Sequence, residues 1–319
     1  PGKKSTAQNI ATKGIIIKLG NAEGGICFDT DLLRMAGAWT GGYLDLSKST
    51  LASHNSSNFP LVQGEIVFTT PLAPGWSRST DFSDPRPAKL GTMPPESARY
   101  RGLYVNGSDV ILSYDIGDCS VLEKPALLKR NAQQVVARTF NLGASASPLS
   151  LMVCAVPGAK GSVFTPGQKS ASATSGDATT QFAMLDPAGG AATFAALSAA
   201  PPGALWSINA SGELLLTLAP RKSAAAFELL VWHGGDETSA GEFARELKPT
   251  AAAADLAALC KGAAARWPET LATRGVRGED AAAYVVDVLT LPDTNPWNCW
   301  MRPSAFDFFP DGRIAVAND

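Results

Sequence analysis

Short runs of β-branched, aromatic and leucine residues, broken every few positions by glycine or proline, fill the chain from residue 14 to residue 232. Residues 14–19, 24–29, 32–36 and 43–46 read as successive strands between glycine breaks, and residues 65–69 add another. The following stretch to residue 99 holds Pro71, Pro74, Pro85, Pro87, Pro94 and Pro95 and reads as a structured loop. Tyr100–Tyr104 and Val110–Tyr114 flank Asn106-Gly107-Ser108-Asp109, whose Asn-Gly pair tolerates the positive φ angles of a tight hairpin turn. Strands continue at 135–142 and 149–156. Residues 158–180, rich in Ser, Thr, Gly and Ala, read as a loop or irregular excursion. Short strands resume at 182–185, 192–197, 206–208, 213–218 and 225–232.

The period changes near Asp236. Thr238 or Ser239 caps a helix running to about Leu247, and Pro249-Thr250 introduces a second, alanine-rich helix that ends before Gly262. Arg266–Gly278 reads as an extended connector, Tyr284–Leu289 as a strand bounded by Pro292, and residues 305–309 and 313–317 as a hairpin around Pro310-Asp311-Gly312. A lone hairpin is marginal in water, so the pattern predicts further strands beyond Asp319. The expected fold is mainly β: a large antiparallel β-sandwich over residues 1–235, a helical segment and connector over 236–278, and a strand, linker and opening hairpin over 279–319.

The length of 319 residues allows a sizeable core. Charged residues are only 18% and the formal net charge is −2, which gives no electrostatic footprint for nucleic acid or an anionic membrane surface. No apolar run is long enough to predict a membrane span. The start Pro1-Gly2-Lys3-Lys4 fits a processed terminus. Five scattered cysteines, an odd number, leave at least one unpaired and read as small buried hydrophobes, with one or two bridges still open.

Candidate chemistry is sparse. Asp29 and Asp31 lie two apart, with Arg34 close behind and Trp39 beyond. Carboxylate, guanidinium and aromatic face together suit a sugar, although an Asp-turn-Arg ion pair holding a strand crossing is the favoured reading of the first three, since buried charges usually come paired. Trp76, Asp84, Arg86 and Tyr100 sit on or beside the proline-rich loop, which reads as a binding segment or as a cover over a sheet edge. Trp297, Trp300 and Arg302 read as interdomain packing. His54 and His233, the only histidines, lack a second ligand at metal spacing. The sequons at Asn55, Asn106 and Asn209 carry no weight.

Two stretches resemble a bacterial domain family of uncharacterised function found near the N-terminus of large exported proteins. They are residues 27–42, Cys27-Phe28-Asp29-Thr30-Asp31 through Trp39-Thr40-Gly41-Gly42, and residues 283–313, ending Phe306-Asp307-Phe308-Phe309-Pro310-Asp311-Gly312-Arg313. Gly75-Trp76, Asp84-Pro85-Arg86, Tyr100–Tyr104 and Leu112-Ser113-Tyr114 are similar to family positions as well. The resemblance implies a following β-propeller like that of soluble sugar dehydrogenases, begun by the terminal hairpin, and a c-type cytochrome domain. Haem would belong to that missing portion, since this chain has no Cys-x-x-Cys-His.

The expected function is a non-catalytic accessory or substrate-presenting region of a periplasmic or extracellular, cytochrome-linked oxidoreductase acting on carbohydrate. It would dock the downstream propeller and hold ligand at Asp29, Asp31, Arg34, Trp39, Trp76, Arg86 and Tyr100, without catalytic residues, cofactor or metal of its own. Two alternatives stay open: a carbohydrate-active hydrolase or lyase using sandwich-cleft carboxylates, and a structural or assembly module.

Overall fold

The computed structural model describes residues 11–318 except 12, 48–59, 131–132, 167–172, 237–239, 244–253, 266, 282 and 293. His54 and most of the expected first helix lie outside them. The chain divides into two compact units, Pro1–Gly262 and Ala263–Asp319.

The first unit is antiparallel β. Strands β1 (Gly14–Leu19), β2 (Gly24–Asp29), β3 (Arg34–Thr40) and β6 (Glu65–Thr69) form a four-stranded sheet in the order β1-β2-β3-β6. Between them β4 (Leu44–Asp45) and β5 (Leu61–Val62) make a short ribbon. An eight-stranded sheet has the order β13-β15-β16-β19-β11-β10-β9-β8, built from β8 (Ala98–Asn106), β9 (Asp109–Ile116), β10 (Cys119–Arg130), β11 (Gln133–Leu142), β13 (Lys160–Phe164), β15 (Phe182–Asp186), β16 (Thr193–Ser198) and β19 (Ala225–His233). Facing it is a five-stranded sheet, β14-β17-β18-β12-β7, made of β7 (Trp76–Ser77), β12 (Leu149–Ala155), β14 (Ser175–Asp177), β17 (Leu205–Ile208) and β18 (Glu213–Leu218).

One core joins all three sheets. Ile26, Phe28 and Met35 of the small sheet meet Leu112, Tyr114 and Phe140 of the large one and Leu151, Trp206 and Leu216 of the third. A second cluster lies on the other face of the large sheet, where Phe182, Phe194 and Trp232 pack with Ala240 and Phe243 of the helical residues 240–243. With both faces covered, β11 is buried continuously from Val135 to Phe140 and β19 from Leu229 to Trp232 rather than at alternate positions. The four-residue helix Leu256–Leu259 is capped by Asp255, whose side chain accepts from the Ala257 N–H. Asn141 ties it to the sheet by donating to Ala254 O and accepting from Leu256 N–H.

Four details differ from the sequence pattern. Leu32 and Leu33 belong to the β2–β3 turn, and the strand runs instead from Arg34 to Thr40. The longest strand, β10, occupies residues to which the sequence pattern assigned no element, and Pro125 and the run Leu127-Leu128-Lys129-Arg130 give it a weak strand signal. Pro125 is tolerated because β9 pairs only with residues 119–123, so the missing N–H falls where β10 has β11 as its sole neighbour. Residues 158–180 contain two strands, β13 and β14, rather than only a loop. The expected strand at 284–289 is reduced to a single bridge between Val276 and Val288. The hairpin at 106–109 forms, with Gly107 at φ 63°.

In the second unit, β20 (Pro303–Phe308) and β21 (Ile314–Asn318) form a two-stranded ribbon. Phe306 stands opposite Val316 and Phe308 opposite Ile314, and all four are exposed. Trp267, Trp297, Glu269 and Met301 help to line a cavity of about 740 Å3, with the Trp297 indole donating to Glu269 Oε2 at 3.3 Å. Arg302 lies over the Trp300 ring at 5.8 Å.

Candidate functional site

The β2–β3 turn and the loop after β6 meet in a charged corner. Asp29 ends β2 and Arg34 begins β3, directly opposite in register. Asp29 Oδ1 accepts the N–H groups of Asp31 (3.1 Å) and Leu32 (3.3 Å), closing the turn, while Oδ2 accepts Arg34 Nε at 3.2 Å. Arg34 Nη1 then donates to Thr70 O at 3.1 Å and Pro71 O at 2.9 Å, so one buried guanidinium fastens the loop to the turn. Burial lowers the Arg34 pKa from the usual arginine range, and the Asp29 charge opposes that shift. Burial also pushes the neighbouring Cys27 thiol up, with Asp29 adding to the effect. Leu33 sits in the turn at φ 50°, a strained conformation for a bulky residue that the surrounding contacts must hold.

Gly75 brings the loop close. Its N–H donates to Leu32 O at 2.9 Å, and a Cβ there would stand 2.2 Å from Leu33 O. Only glycine permits that approach. Trp76 follows as a buried residue of β7, paired with Leu151 of β12. Its indole donates to Tyr114 Oη at 3.2 Å; Tyr114 in turn donates to Glu123 Oε2 at 2.6 Å, and Arg138 Nε donates to Glu123 Oε1 at 2.7 Å. Burial and the adjacent Glu123 charge raise the Tyr114 pKa well above the ordinary phenol value, so the hydroxyl stays protonated. A buried chain of polar groups thus fixes the Trp76 ring.

Further along the loop, Arg86 forms a two-pronged pair with Asp84, Nε to Oδ1 at 2.9 Å and Nη2 to Oδ2 at 2.8 Å, and donates to Gly91 O. That hydrogen bond holds the Asp84 carboxyl below its usual range and raises Arg86, to which the Asp31 and Asp29 charges also contribute. Asp31 is buried. Its backbone O accepts from Met93 N–H at 3.1 Å, while its Oδ1 has no hydrogen-bond partner among the described residues. Beside the corner, a cavity of about 270 Å3 is lined by Trp76, Met93 and Ile116 together with Ser77, Ser79 and Asp81. Ser77, Ser79, Asp81 and Ser83 are linked by hydrogen bonds among themselves.

The structure therefore brings Asp29, Asp31, Arg34 and Arg86 into one corner and sets Trp76 next to it through Gly75. Tyr100, half-buried on β8, packs against the core instead, its ring 6.3 Å from that of Phe28; burial raises its pKa. Trp39 is elsewhere. It pairs with Gly25, five residues along β3 from Arg34 and hence about 17 Å away at ~3.3 Å per residue. There its indole donates to Tyr43 O and its ring lies against Gly25. The Glu123–Arg138 pair was not anticipated; alternation along β10 points Cys119, Val121 and Glu123 inward together, and a carboxylate at such a position signals a buried partner. His233 Nδ1 lies 3.2 Å from Thr193 Oγ1. Among the described residues no group of three or more His, Cys, Asp or Glu is placed to hold a metal ion, and all five cysteines are unbridged.

Residues 26–123 match a family described as a domain of unknown function (DUF6797), less than a third of the chain. Among solved structures, a protein of Escherichia coli K12 provisionally described as an aldose 1-epimerase is 12% identical at a TM-score of 0.33, over 69% of this chain and 99% of that one. A polysaccharide lyase is 10% identical at a TM-score of 0.23, over 72% of this chain and 34% of that one. Likenesses at these scores carry no functional weight. No curated protein matches the chain.

Proposed function

We propose that this chain is a non-catalytic accessory region of a larger exported oxidoreductase acting on carbohydrate, and that its corner presents a hydroxyl-rich ligand against Trp76. The observation supporting this reading is the way the corner's charges are spent. Asp29 and Arg34 satisfy each other, the turn and the loop carbonyls, and Arg86 is held by Asp84 and Gly91, which suits a rigid frame rather than acid–base chemistry. The cavity beside that frame offers an indole, serine hydroxyls and Asp81, the mixture that a sugar's apolar and hydroxyl faces need.

The exported, cytochrome-linked setting and a downstream propeller as partner rest on the residue resemblance. Haem would be held elsewhere in such a protein, because His233 follows Val231-Trp232 and its ring faces Thr193, a donor set that does not fit haem attachment. Calorimetric titration of the chain with glucose, galactose and malto- and cello-oligosaccharides, with product analysis, tests the reading. Saturable binding without turnover is expected; turnover by the chain alone, or no binding to any of them, would refute it.

A structural or assembly role is favoured by a separate observation. The hairpin β20–β21 exposes Phe306, Phe308, Ile314 and Val316 on one face, and a two-stranded ribbon of this kind is stable only with more structure against it.

A further inference from the structure

The β8–β9 hairpin turns on the only Asn-Gly pair in the sequence, Asn106-Gly107. Asn106 stands opposite Asp109, so Gly107 and Ser108 form a two-residue loop, with Gly107 at φ 63° in its first position. The Gly107 amide therefore takes no part in the ladder. Gly107 is exposed, and a Cβ built on it would meet nothing within 4 Å.

The Asn106 side chain also reaches across to the end of the first unit. Its amide donates to Leu259 O at 3.1 Å and to Gly262 O at 3.4 Å, and Gly262 is the last residue of that unit. The segment from Ala254 to Gly262 is thus held at three points. Asn141 grips Ala254 and Leu256 at its start, the Leu256 side chain is buried in its middle, and Asn106 latches its end.

We propose that Asn106 is a deamidation site and that its conversion to an acid unlatches the end of the first unit. The Gly107 nitrogen attacks Asn106 Cγ, the bond from Cγ to Nδ2 breaks, and ammonia leaves carrying the Gly107 proton. Water then opens the cyclic imide to aspartate or isoaspartate. Glycine favours the first step, because no Cβ crowds the attacking nitrogen and its backbone turns freely. Asn141 is followed by Leu142 and lacks that advantage. The Asn106 carboxamide reaches Gly107 only when both its bonds to the segment end are open, so the reaction samples the unlatched state and then fixes it. A carboxylate has no hydrogen to donate. Leu259 O and Gly262 O then lose their partner and face a negative charge, and Asp109, directly opposite on β9, adds a like charge.

The test holds the whole chain and a synthetic peptide of residues 105–110 in the same mildly alkaline buffer and follows each asparagine by peptide mapping with mass spectrometry. Asn106 is expected to convert ahead of Asn141 in the chain, and more slowly there than in the peptide, because the latch must open first. In the converted fraction, and in Asn106→Asp, exchange at the Cys260 and Gly262 amides, which donate to Leu256 O and Leu259 O, should rise about fivefold, as for the loss of one hydrogen bond. Tryptic cleavage after Lys261 should quicken with it, while exchange in β18 and β19 stays as in the parent. Asn106 converting no faster than Asn141, or as fast as in the free peptide, would overturn the proposal. So would conversion that leaves exchange and cleavage at residues 259–262 unaltered, or that raises exchange throughout the chain, since that is unfolding rather than release of one segment.

Discussion

Arg34 is the residue whose removal most directly tests the view of the corner as an ionic clasp. Its side chain is completely buried and Asp29 is 2% exposed, so Arg34→Met strands a buried carboxylate without its hydrogen-bonded partner and with only the more distant Arg86 as cation, a cost of about 3 kcal/mol. The Thr70 and Pro71 carbonyls also lose their donor, at about 1–3 kcal/mol. In Asp29→Asn the remaining Oδ1 still accepts from the Asp31 and Leu32 amides, while the buried negative charge disappears. The two changes should therefore couple with a change of sign. In the native background Asp29→Asn destabilises, since Arg34 is left as an uncompensated buried cation. In the Arg34→Met background the same change should stabilise by about 2 kcal/mol, the stranded charge being removed and only the carbonyl loss remaining. Urea unfolding at pH 7 followed by circular dichroism measures all four corners of the cycle, with an unchanged denaturant slope as the check that the folded state is the same. If Asp29→Asn destabilises equally in both backgrounds, the pair is not coupled and the clasp does not exist.

Gly75→Ala should cost at least about 2 kcal/mol, because its Cβ meets Leu33 O at 2.2 Å, and limited proteolysis should then cut within residues 70–97 faster than in the parent. Tyr114→Phe removes the group that both accepts from Trp76 and donates to Glu123, leaving two buried polar atoms unsatisfied; a loss of about 2–4 kcal/mol is expected, with a changed near-ultraviolet signal from tryptophan. Asp84 has a folded-state pKa below the ordinary 3.8, so its pairing with Arg86 stabilises fully at pH above that value and is lost as the pH falls through the lower folded pKa. The stability difference between the parent and Asp84→Asn should accordingly hold constant from pH 7 to about pH 5 and shrink below about pH 4, as read by unfolding across that range.

Much of the fold was legible because strand grammar is local. Alternation and turn residues located β1, β2, β6, the β8–β9 hairpin, β12, β15, β18, β19 and the terminal hairpin from the chain itself. The elements that escaped are those whose local signals conflict with their setting: β10 carries a proline and a helix-like run, and β13 and β14 lie in a stretch of small polar residues. The Tyr284–Leu289 run has the opposite fault, a strand-like composition with no neighbour beyond the Val276–Val288 bridge.

For the corner, residue types alone placed Asp29, Asp31 and Arg34 together, since five residues of chain leave them little room to separate. That Asp84 and Arg86 come back to the same place depends on where the proline-rich loop crosses β3, which is set by Gly75 against Leu33 and Arg34, whereas Trp39 is carried away by the extended course of β3 itself. Glu123, Arg138 and Tyr114 are far from Trp76 in sequence and meet it only because two sheets face each other across one core. Sequence by itself determined the period, the turns and the short-range ion pair, all of which are governed by neighbours a few bonds away. Tertiary structure alone decided which buried polar groups satisfy one another, because that depends on how distant strands stack across the core.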